Sequence, residues 1–354
     1  MSDKVRAALA AIVEGRTLSI DDAREAMGSV MDGEATPSQL AALLVALRMR
    51  GETVEELAGF ASAMRARVLP VVAPEGAIDT CGTGGDHSGT FNISTAAAIV
   101  VAAAGVPVAK HGNRAMTSAC GSADVLEALG VATDLGPEEA ADALRDQGFA
   151  FLFAMAYHPA MKHAGPTRRE IGVRTAFNLL GPVTNPAGAR RQVIGGGDPS
   201  VAPRLAEVLR LLGTQRALIV HGAGIDELPL DGTGVLYDVS PSGVKRRAVV
   251  ASGMGLTAAP IAALAGGSPA LNASYIEGVL AGESGPRRDV VLLNAAAALL
   301  VADRVSTLAA GIPLAAATID SGAATALLAR LRAAKTARDA ARAESARAME
   351  ATPA

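Results

Sequence analysis

Residues 79–124 constrain this chain more than any other stretch. They read DTCGTGGDHSGTFNISTAAAIVVAAAGVPVAKHGNRAMTSACGSAD. A short run at 77–81 enters a glycine turn, Gly82-Thr83-Gly84-Gly85. Glycines accept positive φ and let an anion come close to the backbone. Successive N–H groups in such a turn converge on phosphate oxygens. Asp86 follows at once, and a carboxylate there suits a metal ion or a ribose hydroxyl standing between it and the anion. Thr90, Asn92, Ser94 and Thr95 then precede AAAIVVAAAG, capping residue types ahead of an alanine-rich helix. Its N-terminus offers free N–H groups and partial positive charge. Residues 106–109 read as a buried strand. Lys110, His111, Gly112, Asn113, Arg114, Thr117 and Ser118 crowd its carboxyl end, the edge of an open α/β sheet at which ligands bind. Ser122 reads as the N-cap of the next helix, with Asp124 in its first turn. Together these parts describe a pocket for a multiply phosphorylated ligand.

Two familiar phosphate motifs do not fit. A dinucleotide fingerprint needs glycine where His87 stands, and no GKS or GKT follows the turn. The remaining chain supplies a frame. Up to Val68 it reads as four short helices: Thr36-Pro37 opens one with Gly51 past its end, and Thr53-x-x-Glu56 is a capping box. Pro70, Pro74 and Gly76 mark a hinge. From Ala77 strands and helices alternate, which argues for βαβ units and a mainly parallel sheet. Residues 157–186 break that pattern with a helical, Pro- and Gly-rich segment carrying Arg168, Arg169 and Arg174; the last two read as a solvated helix face. Two more strands are expected at 191–197 and 216–221, then a β-rich return over 228–251. Helices are expected at 272–282, at 288–302 and from Ser321 onward, with 336–354 an exposed, frayed extension.

Asp226 and Glu227 are adjacent carboxylates in a loop beyond a strand end. Adjacent residues cannot share one helix face, but a loop turns both towards one or two Mg²⁺ ions, which are held by hard oxygens and substrate phosphates. With the glycine turn present, that reading stands above an ordinary acidic loop.

Aromatic residues are only 3% of the 354, so the core must be aliphatic. The net charge of −3 gives no electrostatic reason to expect nucleic acid. Cys81 and Cys120 form neither a disulfide framework nor a zinc motif, and nothing in the sequence pairs Cys81 with a base. Free thiols suit a reducing, cytoplasmic setting. The N-terminus has no signal-peptide core, and residues 93–109 read as a buried helix turning into a strand, not a membrane span.

DTCGTGGD, TFNISTAAA, VAKHGNR and GSADVLEALG are followed by HPAMKHAGPTRREIGVRTAFNLLGPVTNPAGA and VHGAGIDEL. In that order, from Val5 to Leu331, they resemble the anthranilate phosphoribosyltransferases, the TrpD enzymes of tryptophan biosynthesis. The resemblance implies an α/β fold of the nucleoside phosphorylase/phosphoribosyltransferase class IV type. A small helical domain (1–70) would receive helices from 165–185 packing back on it. A larger α/β domain (75–164 and 186–335) would carry a mainly parallel central sheet. The implied reaction transfers the phosphoribosyl group of phosphoribosyl diphosphate (PRPP) to the amine of anthranilate with Mg²⁺, the second step from chorismate to tryptophan. A homodimer joined through the helical domains is implied, with no nucleic-acid or membrane partner.

By the same resemblance Gly82, Gly85 and Asp86 would line the diphosphate. Thr90, Asn92, Ile93, Ser94 and Thr95 would hold diphosphate and ribose, Ser94 also touching metal. Lys110, His111, Gly112, Asn113, Arg114, Ala115, Met116, Thr117 and Ser118 would wrap PRPP, and Ser122 would contact it. Gly82, Asn113 and Arg168 would border anthranilate, a guanidinium being the natural partner of its carboxylate. Asp226 and Glu227 would bind Mg²⁺. The family commonly has glycine where His87 stands, and a basic residue then serine where Ala119 and Cys120 stand, so this loop lacks a cation and a hydroxyl. Cys120 would make it thiol-sensitive. Pyrimidine nucleoside phosphorylases share the GTGG and KHG motifs but need no metal pair, so Asp226 and Glu227 argue against them.

Overall fold

The computed structural model describes residues 1–86, 88–115 and 119–350; His87, Met116, Thr117 and Ser118 lie outside them. Four helices come first: α1 (Asp3–Val13), α2 (Ile20–Met31), α3 (Pro37–Arg50) and α4 (Val54–Arg65). Each starts at a hydroxyl residue whose side chain accepts a first-turn N–H: Ser2, Ser19, Thr36 and Thr53. The last two close full capping boxes with Gln39 and Glu56. Glu56 is fully buried, and it also accepts from Leu18 N and pairs with Arg50. Leu40, Leu43, Leu44 and Leu47 of α3 point into the bundle.

The rest winds about one seven-stranded sheet. In chain order it comprises β1 (Ile78–Gly82), α5 (Ile93–Ala103), β2 (Val108–Gly112), α6 (Ser122–Ala128), α7 (Pro137–Gln147), β3 (Phe149–Phe153), α8 (Ala154–Tyr157), α9 (Gly165–Ile171), α10 (Phe177–Leu180), β4 (Arg191–Gly195), α11 (Ala202–Leu211), β5 (Arg216–Gly222), β6 (Gly234–Ser240), β7 (Gly243–Val249), α12 (Pro269–Leu280), α13 (Pro286–Val301), α14 (Leu308–Asp320) and α15 (Ala323–Glu350). The strand order is β3-β2-β1-β4-β5-β6-β7. The first five strands run parallel and the last two antiparallel. The winding reverses between β1 and β4, and the crevice at the carboxyl ends of those two strands is where this architecture binds ligands.

Alternation along the strands feeds two large cores and a smaller third that holds Ala109, Ala150 and Leu152. Ile78, Val108, Val193, Leu218 and Val220 face α5, α12, α13 and α14. Ile194, Ala217 and Ile219 face α11 and join the cluster that fills the helical bundle. That second cluster also contains Ala164, Ala176, Phe177, Leu180 and Val183, so the 164–183 segment packs against the bundle. The outer strand β7 exposes Lys245, Arg246 and Arg247, charges that discourage pairing with another edge.

Three expectations change. Helix α14 lies in a stretch that the sequence reading leaves empty; Pro313 sits inside it and its residues are apolar on every side, so no amphipathic period announces it. Ser122 is the first helical residue and not the cap: Gly121 is the cap, its N–H held by Asp124 Oδ2 at 2.9 Å. The C-terminal stretch is exposed but helical through Glu350, and its first turns are tied down by Arg338 to Asp134 (2.6 Å) and by Arg342 to Asp134 (2.7 Å) and Glu139 (2.6 Å). No single described helix is long and apolar enough to cross a membrane.

Candidate active site

The glycine turn leaves β1 at Gly82 and is pinned at once to β4. Thr83 N donates to Gly195 O at 2.8 Å, and Gly197 N donates to Thr83 Oγ1 at 3.1 Å. Gly84 (φ +61°) and Gly85 (φ +73°) both lie in the left-handed region, where a side chain costs strain. The loop after β5 lies over this turn. A β-carbon on Gly195 would come within 1.8 Å of Asp226 O, and one on Gly82 within 2.4 Å of Asp226 Oδ2. Asp226 N donates to Asp86 Oδ2 at 3.3 Å, and the amide of Gly84 faces the Asp226 carboxylate.

Asp86, Asp226 and Glu227 thus form one cluster, with a carboxylate oxygen of each within 4.8 Å of the others. Burial raises the pKa of Asp226, and burial together with the neighbouring Asp226 charge raises that of Glu227 strongly. Glu227 Oε2 is buried without a hydrogen-bond partner. Three hard oxygen donors crowded together, one of them orphaned, fit a divalent cation such as Mg²⁺. The sequence points to Asp226 and Glu227 for metal, with a metal ion as one of two readings of Asp86 and Ser94 as a further contact by resemblance; the structure brings the three carboxylates together.

Below this cluster Lys110 is buried. Its Nζ donates to Thr80 O at 2.5 Å and to Ser94 Oγ at 3.5 Å. Burial lowers its pKa, opposed by the charges of Asp79, Asp226 and Glu227. Asp79 is fully buried, accepts from His111 N at 3.0 Å, and so holds β2 beside β1. Burial raises its pKa, and Asn185, Lys110 and the His111 amide oppose that rise. Ser94 stands in the first turn of α5, as does Thr95, whose Oγ1 is buried and unpartnered. Thr90 hydrogen-bonds Ser88 (3.2 Å between hydroxyls). Ile93 contributes only backbone, its side chain being in the core. Asn92 does not cap α5: its Nδ2 donates to Cys120 O at 3.2 Å and its Oδ1 accepts from Asn272 Nδ2 at 2.9 Å.

The loop after β2 is folded back on α6. Asn113 O accepts from Ala123 N (3.2 Å) and Ser122 Oγ (3.3 Å), and Ala115 N donates to Asp124 Oδ2 (2.9 Å). Gly112 has no room for a side chain, because a β-carbon would sit 2.3 Å from Ser122 Oγ. Arg114 is turned away to Glu127 and Asp124 at 2.5 and 3.2 Å. Met116, Thr117 and Ser118, also expected around PRPP, fall outside the described residues. Cys120 is buried and its thiol is pushed up to about 11 by burial, so the expected thiol sensitivity is not supported. Burial, reinforced by Asp79, likewise holds Cys81 protonated.

Beside the turn lies a cavity of about 220 Å³ whose lining includes Gly82, Asn113 and Arg168, the three residues expected around an aromatic acid. Arg168 stands on α9, which packs on α3, and its guanidinium lies 4.8 Å from the Phe177 ring centre. It makes no hydrogen bond or ion pair among the described residues, and burial lowers its pKa. His111 and His158 also line the cavity, with ring centres 5.2 Å apart. Their pKa values are lowered to about 3 and about 4, chiefly by burial. Each bonds a backbone carbonyl, at Gly181 and Thr184 respectively, leaving both Nε2 atoms buried without partners. His158 and Phe177 do not stand out in the sequence, where they sit in HPAMKH and AFNLL; only the fold brings them beside Arg168. Arg174 is exposed, as expected, but it lies past the end of α9 and not on a helix face. It reaches the glycine turn, donating to Gly84 O at 3.0 Å and Thr83 O at 3.3 Å.

Residues 74–325 match the family described as "Glycosyl transferase family, a/b domain", and residues 6–68 the corresponding helical bundle domain. The chain is 53% identical over 330 residues to an anthranilate phosphoribosyltransferase of Roseiflexus sp. (strain RS-1), spanning 92% of this chain and 97% of the relative. Against the one from Symbiobacterium thermophilum it is 53% identical over 335 residues, spanning 93% and 97%. The crystal structure of anthranilate phosphoribosyltransferase (TrpD) from Thermus thermophilus superposes with a TM-score of 0.88 at 45% identity, covering 95% of this chain and 100% of that one. The Saccharomyces cerevisiae enzyme in complex with PRPP and Mg superposes with a TM-score of 0.87 at 26% identity, covering 95% and 99%.

Proposed function

We infer, from the premise that this chain belongs to the anthranilate phosphoribosyltransferase family, that it transfers the phosphoribosyl group of PRPP to the amine of anthranilate. The products are N-(5-phosphoribosyl)anthranilate and diphosphate, the second step of tryptophan biosynthesis from chorismate. The observation that carries the reading is Gly82, which abuts the Asp226 carboxylate and also lines the cavity of Arg168. A donor half-site and an acceptor half-site therefore meet at one residue without a side chain.

In the reaction the bond from ribose C1 to diphosphate oxygen breaks and a bond from C1 to the anthranilate nitrogen forms. Charge separates, positive on the ribose and negative on the leaving group. The amide of Gly85, with the first turn of α5 at Ser94 and Thr95, would face the diphosphate. Lys110 beneath them lends fixed positive charge. Asp86, Asp226 and Glu227, with Ser94, would hold Mg²⁺, which when bound supplies Lewis-acid neutralisation of the diphosphate. Arg168 would take the anthranilate carboxylate in two parallel hydrogen bonds. Its amine is a neutral nucleophile, so positioning and charge stabilisation carry the rate and no strong base is needed. The neutral Nε2 atoms of His111 and His158 are acceptors suited to orienting its N–H groups.

Family membership also supports a homodimer through the helical bundle, where α1 and α3 expose Val13, Val45 and Met49. Sedimentation of the purified chain tests that. For the reaction, the protein is mixed with PRPP, Mg²⁺ and anthranilate, and the loss of anthranilate fluorescence is followed. Loss that needs both PRPP and Mg²⁺ is expected. Turnover of thymidine or uridine with inorganic phosphate, and none of anthranilate, would replace this reading with a nucleoside phosphorylase.

A further inference from the structure

The peptide joining Thr83 to Gly84 is held at both ends. Its carbonyl accepts from Arg174 Nη2 at 3.3 Å, while its N–H faces the Asp226 carboxylate. The next carbonyl, Gly84 O, accepts from Arg174 Nη1 at 3.0 Å. One guanidinium fork therefore takes two successive carbonyls on one side of the turn. Because each peptide is planar and trans, its N–H is turned to the opposite side. Two adjacent glycines adopt either sign of φ at little cost, so without the fork the Gly84–Gly85 peptide is free to flip and to present its carbonyl oxygen to an anion.

Space at the turn agrees. A β-carbon on Gly85 would fall 1.7 Å from Arg174 Nη1, so the guanidinium fills the place of a side chain there. Arg174 makes no ion pair among the described residues, although it is exposed and a carboxylate partner would be the ordinary fate of such an arginine. It also follows α9 by three residues, across Gly172 in the left-handed conformation, and α9 carries Arg168.

We propose that Arg174 is a positioning residue for the diphosphate: it orders the 83–85 turn with the Gly85 amide outward, and it ties that turn to the segment that carries the acceptor's guanidinium. The proposal rests on the phosphoribosyl-transfer reading of the same site. Arg174 itself does not touch the reacting atoms.

The test is steady-state kinetics of Arg174→Ala and Arg174→Lys against the parent, with calorimetric binding of inorganic diphosphate and Mg²⁺ to each. Removing two charge-assisted hydrogen bonds from the turn should raise the PRPP KM roughly tenfold or more and weaken diphosphate binding by a similar factor. The anthranilate KM should stay within about twofold, and lysine, with one compact donor group, should recover only part of the loss. Because Arg174 is exposed, thermal midpoints should not change. PRPP KM and diphosphate affinity within about twofold of the parent would overturn the proposal, as would an equal rise in both KM values, which signals general loosening. Should the parent transfer no phosphoribosyl group, the functional reading falls, and the diphosphate titration still decides whether Arg174 orders the turn.

Discussion

Asp226 Oδ2 lies 2.4 Å from the point a β-carbon would occupy on Gly82. The main chain at Gly82 is not in the left-handed region, so alanine is allowed by conformation and excluded by the carboxylate alone. Gly82→Ala should therefore fold and yet displace Asp226. A misplacement of about an ångström at a reacting centre costs on the order of 100-fold in rate. We expect kcat/KM to fall by that order, with a higher Mg²⁺ concentration needed for half-maximal activity. A variant with the parent's Mg²⁺ titration would show that Asp226 does not govern metal binding.

Arg168 is the unpaired cation of the cavity, stacked on Phe177 and partly dehydrated. Arg168→Ala removes the fork without touching the glycine turn. Loss of a charged hydrogen-bond pair of about 1.5–3 kcal/mol should raise the anthranilate KM roughly 10- to 100-fold. The PRPP KM should move little. Equal effects on both substrates would place Arg168 outside the acceptor pocket.

Much of this was legible in the chain because the informative signals are local. The glycine turn and the capping boxes of Thr36 and Thr53 declare themselves within a few residues, as does the strand read at 106–109, which the structure shifts to Val108–Gly112 so that Lys110 and His111 lie within it and not in the loop beyond. Asp226 and Glu227 were legible as a pair and Asp86 as a carboxylate suited to a metal ion or a ribose hydroxyl, but their meeting in one cluster was not, since 140 residues separate Asp86 from Asp226. Arg174 looked like one charge in a basic run, because its partners are backbone carbonyls, which have no sequence signature. Asn92 looked like a helix cap, and capping by its side chain is displaced by bonds to Cys120 O and Asn272, the latter 180 residues away. Helix α14 stayed hidden because its exposed face is also apolar, with Ala309, Ala310, Pro313 and Ala317 on it, so no polar period separates it from the buried one.

Asn272 closes that long-range link. It is 1% exposed, its Nδ2 donates to Asn92 Oδ1 at 2.9 Å, and its Oδ1 accepts from Gly267 N at 2.7 Å. Asn272→Ala strands a buried amide and frees Asn92, which in turn holds the loop at Cys120. A loss of about 1–3 kcal/mol in unfolding free energy is expected, read as a lower urea midpoint at unchanged slope. Asn272→Asp keeps an acceptor for Gly267 N but buries a carboxylate against Asn92 Oδ1, and should lose at least as much at neutral pH. An unchanged midpoint for the alanine variant would mean the link contributes nothing to the fold.

His111 and His158 set the response to acid. Both are buried, at 5% and 6% exposure, and their pKa values of about 3 and about 4 lie below the ordinary value near 6.5 that the unfolded chain would show. Between those limits the unfolded state binds protons that the folded state refuses. Stability contributed by the neutral rings is thus complete above about pH 6.5 and declines as the pH falls towards 4. At pH 5.5 the loss should be about 1.4 kcal/mol from each ring. His221, whose pKa burial also lowers, adds in the same direction. Carboxylates such as Glu127, held low first by its hydrogen bond to Arg114, bear on stability only below about pH 4.5. Glu227, held high by burial and the Asp226 charge, instead contributes more stability as the pH falls and opposes the histidines in parent and variant alike. Urea unfolding of the parent and of His111→Asn/His158→Asn at pH 7.5 and 5.5 should therefore show the acid step costing the parent more than the double variant, by the sum of the two ring contributions. Over pH 6.5–8 neither ring changes charge, so the anthranilate KM should show no histidine titration there. A KM profile with an inflection near pH 6.5 that the double variant abolishes would mean that one ring titrates in water-like surroundings, and the dry cavity described for them would be wrong.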